Sequence, residues 1–491
     1  AWGARVDRVA LSTAWREGPA LAARHAVLAA GHAADAGEHG RLEQFARVYL
    51  YHVASEFYTC PLAMTDGAAT ALKASGNRAL AERALPHFLS RDPATLWLSG
   101  QWMTENIGGS DVSHTETVAR RDAQGQWRLY GRKWFTSAIV GEAALALARP
   151  EGGGAAGALA LFYVETRDAD GAWRGLRIDR LKDKLGTREL PTAEIHLDGI
   201  AAEPLGELAH GVRQVAPMLN VTRTWNAVCA VATMARCVAL ARDYATRRIA
   251  FGRPLIEQPL HARTLADMQA GFEAAFALAF FVAELLGRVE SGHGGVDDAA
   301  LLRLLTPVAK LWTAKCAVAI ASETLECFGG AGYIEDTGIP QLLRDAQVYP
   351  IWEGTTNVLA LDTLRALGKD GLAPMRRAVD ALLAEAGDPD ACSGAVHAAL
   401  DRAAVVLEAG GHAPERLQAD ARGLALTLAR SMAAALLARQ AAWSARHEDD
   451  ARPRAALDLF LGRGIDRLHV ADPTAIRCLS DPSPPAPPCS T

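Results

Sequence analysis

The sequence predicts an α+β chain that is mainly α: an N-terminal helical domain, a central antiparallel β domain, a C-terminal four-helix bundle and extra C-terminal helices. Three observations predict it. Half of the 491 residues are hydrophobic and alanine is heavily used, which favours helices. Between about residues 98 and 210 the hydrophobic period shortens from helical to alternating. Beyond that, three apolar stretches, 220–248, 259–287 and 297–328, each run well past average helix length.

Taken in order, the expected units are 1–97 (helical), 98–211 (β), 212–368 (bundle), 369–470 (additional helices) and 471–491 (a flexible proline-rich tail). In the first, Leu42, Phe45, Val48, Tyr49 and Val53 recur at helical spacing, and Pro61 is placed to open a new helix. In the second, Thr117–Arg121, a turn at 122–125 and Trp127–Trp134 read as a hairpin, with further strands at 144–148, 158–164 and 192–197. Gly-rich turns such as 151–154 separate them. In the last, 481–488 holds too many prolines to fold.

The chain is too long for one compact core. A net charge of −5 gives no global attraction to nucleic acid or to an anionic membrane. No 18-residue window is free of polar residues, and the strongest apolar run, 274–283, is bracketed by Glu273 and Glu284, so no membrane partner is expected. The eight cysteines show no CxxC pair or metal spacing, which points to a reducing compartment and no metal. The chain opens at Ala1 without Met or a secretory pattern and reads as trimmed there. The expected location is the cytoplasm, or the mitochondrial matrix if a targeting segment has been removed.

The chemistry centres on 344–357, Arg-Asp-Ala-Gln-Val-Tyr-Pro-Ile-Trp-Glu-Gly-Thr-Thr-Asn. It sets one acid, Glu353, between apolar walls and a turn, where partial loss of water suits a carboxylate to general-base work. Gly354 lets the backbone approach a ligand, and Thr355 and Asn357 offer hydrogen bonds at the start of the next helix. By residue type alone the segment also fits a helix cap with a solvated acid. A second stretch, 103–112, pairs Gly108 and Gly109 with Thr104, Ser110 and Asp111 in a loop whose amides can approach a ligand. A third, Lys133-Trp-Phe-Thr-Ser137, ends a strand. Arg247-Arg-Ile-Ala-Phe-Gly-Arg-Pro254 clusters arginines after a long helix, and Glu326-Cys-Phe-Gly-Gly-Ala-Gly-Tyr333 forms a glycine-rich turn.

These five stretches, in this order, resemble the motifs of the acyl-CoA dehydrogenase flavoproteins. The segments 61–65 and 181–186 and the extra C-terminal helices resemble the AidB-like branch of that family. The resemblance implies FAD as cofactor and α,β-dehydrogenation of an acyl-CoA: Glu353 takes the α-proton, and the β-hydrogen leaves as hydride to flavin N5. It implies that Met103 and Thr104 contact the flavin, that Trp134, with Phe135 beside it, packs on the isoalloxazine ring, and that the Thr136 hydroxyl lies near N5. Arg248 would reach the FAD pyrophosphate of a neighbouring subunit with Phe251 beside it, while Gly329 and Gly330 receive the adenosine end. Thr355 and Asn357 would complete the cofactor site. Ser110, Arg223 and Gly354 would face the acyl-CoA, Arg223 near the pantetheine arm.

The family also implies an electron-transferring flavoprotein as acceptor and a homodimer or homotetramer. The segment departs from the family at Trp352, where most members carry Tyr, at Asn106 and Ile107, which replace Pro and Gly, and at Glu326, which replaces Gln. Two alternatives share the fold: a DNA-associated flavoprotein of the alkylation response, as proposed for the AidB branch, and an acyl-CoA oxidase. Residues 369–491 hold 14 basic against 16 acidic side chains, a net of −2, which argues against DNA. No GxGxxG segment supports a Rossmann-bound dinucleotide.

Overall fold

The computed structural model describes residues 3, 8–151, 158–387, 391–469 and 472–481. Most of the expected 151–154 turn and of the proline-rich 481–488 segment, together with Ala1, lies outside the described residues. Four helices open the chain: α1 (Thr13–Arg24), α2 (Gly40–His52), α3 (Thr59–Ser75) and α4 (Arg78–Phe88). Ser12 and Asn77 cap α1 and α4 by accepting from the amides of Trp15 and Leu80. Phe45 and Val48 of the α2 stripe are fully buried, whereas Val53 sits at the C-cap, exposed. α3 starts at Thr59, so Pro61 falls in its first turn, where its missing N–H leaves no bond unmade.

One buried carboxylate ties these helices to the rest. Asp66 of α3 is fully buried and accepts from Arg41 Nη1 (2.7 Å), Gln44 Nε2 (2.8 Å) and His32 Nε2 (2.7 Å). It also accepts from Trp225 Nε1 at 2.7 Å, which lies on the long helix after the sheet. The Arg41 guanidinium continues to Glu290 at 2.6 Å. Burial alone would raise the Asp66 pKa, but Arg41 and His32 outweigh it and hold the carboxyl well below the usual range.

The middle of the chain forms one seven-stranded sheet: β1 (Ser99–Trp102), β2 (Val118–Arg121), β3 (Trp127–Ser137), β4 (Ala143–Pro150), β5 (Ala160–Glu165), β6 (Leu176–Leu181) and β7 (Thr192–Pro204). The β2–β3 hairpin pairs as its alternation requires, Val118 with Tyr130 and Arg121 with Trp127. The other pairings are antiparallel, as expected, while β1 and β2 both run parallel to β4. The reason is coverage: Leu145 and Leu147 of β4 pack towards α3 and α4, while Ala144, Ala146 and Ala148 pack with Trp102 and Phe162. A strand buried on both faces has no solvent side and can be paired from either direction.

Helices return with α5 (Gly211–Arg247) and, after the short strands β8 (Ile249–Ala250) and β9 (Arg253–Pro254), with α6 (Pro259–Glu290), α7 (Asp298–Cys327), α8 (Ile339–Ala346) and α9 (Thr356–Asp370). The extension adds α10 (Ala373–Ala386), α11 (Ala391–Gly411), α12 (Pro414–His447), α13 (Arg452–Gly462) and α14 (Pro473–Ser480). α12 packs on α6, α7 and α9, and Trp312 of α7 meets Phe460 of α13 at 5.9 Å, so the extension shares the bundle's core. α5, α6, α7 and α12 are long and apolar enough to cross a membrane by length and composition, but between 61% and 83% of their most apolar windows is buried inside the protein. Packing therefore accounts for their composition. α14 corrects the expectation of an unstructured tail over its length. Asp472 accepts from the Thr474 amide and Pro473 occupies the first turn, so local capping starts a helix with no buried face.

Asp66→Asn is expected to destabilise the protein by about 3–5 kcal/mol at neutral pH, because Arg41 then keeps a buried charge with one partner fewer. Since the folded pKa is depressed, the stability this carboxylate contributes is fully present above its unfolded value of about 3.9 and is lost as pH falls towards the folded value. Denaturant melts across that acid range check both points: the variant should lose part of the wild-type slope.

Candidate active site

The turn between α8 and α9 places Glu353. Tyr349 is buried beneath it, and the chain then bends with Glu353 at φ +56° and Gly354 at φ +106°. A left-handed glutamate is strained, and a Cβ at 354 would also lie 3.2 Å from the Leu359 side chain. Three side chains hold the bend. The Thr222 hydroxyl donates to Glu353 Oε2 at 2.8 Å, Arg223 Nε to the Glu353 carbonyl at 3.2 Å, and Lys310 Nζ to the Gly354 carbonyl at 2.7 Å. Thr222 and Arg223 come from α5 and Lys310 from α7.

Each clamp group has its own support. Arg223 Nη1 donates to Asp362 Oδ2 of α9 at 2.7 Å, and Arg303 of α7 reaches the other Asp362 oxygen at 2.6 Å. Lys310 is fully buried, and that burial, against the attraction of Glu353, brings its pKa down to about 7.

The turn forms one wall of a cavity of about 980 Å³. Glu353, Gly354, Thr355 and Arg223 line it from the helical side. Met103, Thr104, Ser110 and Phe135 line it from the sheet side. The 103–112 loop is anchored from within: Glu105 is buried and accepts from Lys133 Nζ and from the Thr117 hydroxyl, both at 2.6 Å. A Cβ at Gly108 would stand 2.7 Å from the Asp111 carbonyl, so only glycine closes this loop. The 181–186 segment approaches as closely: a Cβ at Gly186 would lie 2.4 Å from the Arg344 carbonyl of α8.

Not every residue expected at the cofactor or the substrate lines this cavity. Trp134 and Thr136 do not line the cavity; Phe135 and Ser137 do. β3 is bulged between Lys133 and Thr136, and beyond the bulge 135 and 137 share the face turned to the cavity. Trp134 instead has the Lys182 ammonium 3.3 Å from its ring centroid, and Thr136 is fully buried. Arg223 faces the cavity, but its guanidinium is committed to Asp362 and the Glu353 carbonyl instead of being free for a substrate. Asn357 is exposed outside the lining, one residue into α9. Thr355 is the N-cap of α9 but makes no side-chain capping bond.

Arg248, Phe251, Gly329 and Gly330 also lie away from the cavity. They sit together at the far end of the bundle, where Tyr244 of α5 stacks on Phe328 at 4.4 Å. Phe251 is 98% exposed at φ +51°, and Gly329 takes φ +60°. Residues that sequence reasoning missed are Ser137, Thr222, Lys184 and Lys310. Strand alternation would have found Ser137, and a lysine inside the apolar run Pro307-Val-Ala-Lys-Leu-Trp312 would have flagged Lys310. Lys184 lines the cavity, with its pKa lowered to about 8 by burial.

Comparison with known proteins gives one answer across the chain. Residues 209–368 match the model of the acyl-CoA dehydrogenase C-terminal domain and residues 100–200 that of its middle domain. Residues 373–455 match an acyl-CoA dehydrogenase 11 C-terminal domain-like model, and residues 1–92 the adaptive response protein AidB N-terminal domain. Acyl-CoA dehydrogenase family member 11 of Caenorhabditis elegans is 42% identical over 457 residues, covering 89% of this chain and 74% of the relative. Putative acyl-CoA dehydrogenase AidB of Escherichia coli (strain K12) is 37% identical over 290 residues, 59% of this chain and 52% of that one. The crystal structure of Caenorhabditis elegans ACDH-11 in complex with C11-CoA superposes with a TM-score of 0.92 at 39% identity, covering 98% of this chain and 85% of that chain.

Lys310 yields a pH signature. A lysine whose folded pKa lies below its unfolded value of about 10.4 binds fewer protons when folded, so its burial penalty fades and stability rises as pH climbs from about 7 towards 10. Lys310→Met should remove that part of the rise, up to about 1.4 kcal/mol per pH unit. Denaturant midpoints of the two proteins across this range provide the check.

Proposed function

This chain belongs to the acyl-CoA dehydrogenase family, and on that premise we propose that Glu353 is the base that takes the α-proton of a bound acyl-CoA thioester. The reaction is FAD-dependent α,β-dehydrogenation. The observation that carries the assignment to Glu353 is the clamp: this acid is held on the cavity wall by Thr222 while two cationic side chains fix the carbonyls of 353 and 354.

The residues present fit FAD. The cavity is large, the Phe135 ring is half exposed on its wall, and Gln101 Oε1 is buried there without a partner among the described residues. Met103, Thr104, Phe135, Ser137 and Thr355 are the residues that would hold it. When bound, FAD supplies the acceptor for the hydride that leaves the β-carbon, chemistry that no side chain offers.

The chain itself does the rest. Thr222 occupies Oε2, and among the described residues no donor reaches Oε1, which leaves that oxygen for the proton. The Glu353 amide has no acceptor among the described residues and stands ready for the thioester oxygen, where a fixed N–H makes the α-proton easier to remove. Trp352, half-buried and edge-on to Phe57 at 6.3 Å, supplies the apolar wall beside the acid.

The same reading extends to the assembly and the acceptor. The exposed apolar residues Ile249, Phe251, Tyr333 and Ile334 surround Arg248 and Gly329, a patch suited to a second copy of this chain that would bring Arg248 to its FAD. An electron-transferring flavoprotein is the acceptor this reading assigns, as for the family.

The protein should be yellow and should bleach anaerobically when a saturated acyl-CoA is added. Glu353→Gln should keep the flavin spectrum and slow bleaching by about 10²–10⁴-fold; an unchanged rate removes Glu353 from the base's role. Phe251→Asp should elute from a sizing column as a smaller species with less bound flavin, and an unaltered elution volume would count against the shared site.

A further inference from the structure

The α5 wall of the cavity is polar where an alkyl chain calls for apolar atoms. One turn beyond Thr222, whose hydroxyl holds Glu353, the same face of α5 presents Asn226, followed by Cys229 and Thr233. Asn226 lines the cavity and is only 7% exposed, and its Oδ1 is buried with no partner among the described residues. A buried acceptor left unpaired is destabilising, and a ligand able to hydrogen-bond it would remove that cost.

The neighbouring polar groups are already satisfied. The Tyr349 hydroxyl lies 2.7 Å from both His52 Nε2 and the Thr233 hydroxyl, and 3.3 Å from the Cys229 carbonyl. The other His52 nitrogen meets the Thr59 hydroxyl at 2.8 Å, and burial lowers the His52 pKa to about 3, so the ring is neutral. The two basic side chains of the clamp are engaged too, Arg223 with Asp362 and Lys310 with the Gly354 carbonyl. Among the described residues no cationic side chain reaches Asn226 Oδ1, so a neutral hydrogen-bonding group finds an open amide there.

We propose that Asn226 is a specificity-determining residue that hydrogen-bonds a hydroxyl carried by the acyl group, making hydroxyl-bearing acyl-CoA thioesters the preferred substrate class. This deepens, and rests on, the acyl-CoA reading above. An amide accepts at Oδ1 and donates from Nδ2, so one hydroxyl, itself donor and acceptor, can satisfy both. One helical turn of about 5.4 Å separates Asn226 from Thr222 along α5, which sets the hydroxyl a few carbons beyond the reacting pair and leaves the chemistry at Cα and Cβ untouched.

The test uses the holoenzyme and pairs of saturated acyl-CoAs of equal length, one plain and one hydroxylated at roughly carbons 4 to 6, the reach of one turn. In anaerobic bleaching the hydroxylated member should have a kcat/KM at least about tenfold higher at one of these positions, and Asn226→Leu should bring the ratio to one or below. Calorimetric dissociation constants for the paired enoyl-CoA products, which bind without turnover, should shift the same way. Asn226→Ser, which keeps a smaller hydrogen-bonding group, should fall between the two. Equal or faster bleaching by the plain member at every position, or a ratio unmoved in both variants, overturns the assignment while leaving the dehydrogenase reading intact. Bleaching by neither member overturns that underlying reading instead.

Discussion

Two consecutive carbonyls, those of Glu353 and Gly354, are each held by a positively charged or proton-rich side chain from a different helix. Everything functional about the fold depends on that constraint. A left-handed glutamate followed by a wide-open glycine is a conformation the chain would leave if unsupported, since each such residue is strained by about 1–3 kcal/mol. Arg223 and Lys310 supply hydrogen bonds that exist only in the bent form, and Asp362 keeps Arg223 from swinging away. The strain is thus converted into a fixed direction for one carboxylate and one amide.

The scale of the architecture follows from the same need. Thr222 and Arg223 on α5 and Lys310 on α7 must meet the α8–α9 turn at hydrogen-bond distance, so their helices must cross at a set place. The Asp66 cluster locks α2, α3 and α5 together and reaches α6 through Glu290, while the Trp312–Phe460 contact braces α7 from the extension. The sheet closes the other side, with Lys133 and Glu105 fastening the 103–112 loop against it. The cavity lies where these units meet, and no single unit could form it.

Much of this was legible from the residues. Helical and alternating periods marked out the helical, β and helical order, because burial on one face imposes those periods directly. Glu353 stood out as a single acid between apolar residues and a glycine. At β3 the resemblance names Trp134, Phe135 and Thr136, and of these Phe135 lines the cavity, with Ser137 two residues on. A bulge between Lys133 and Thr136 breaks the strict alternation there, and Lys182 lies over both the Trp134 and Phe135 rings; a bulge re-aims side chains without leaving a mark in residue type.

The sequence by itself determined the kinds of element, the chemistry of the turn that carries Glu353 and the family to which the chain belongs, since all three depend on local spacing and residue type. Tertiary structure alone decided that Arg223 is a clamp, that Lys310 reaches the Gly354 carbonyl, that Arg248 and Phe251 stand far from Glu353 within one chain, and that Asn226 Oδ1 has no partner among the described residues. Those facts depend on distances between residues from 44 to 139 positions apart in the clamp alone. Such separations are set by how helices pack, and spacing along the chain carries no record of them.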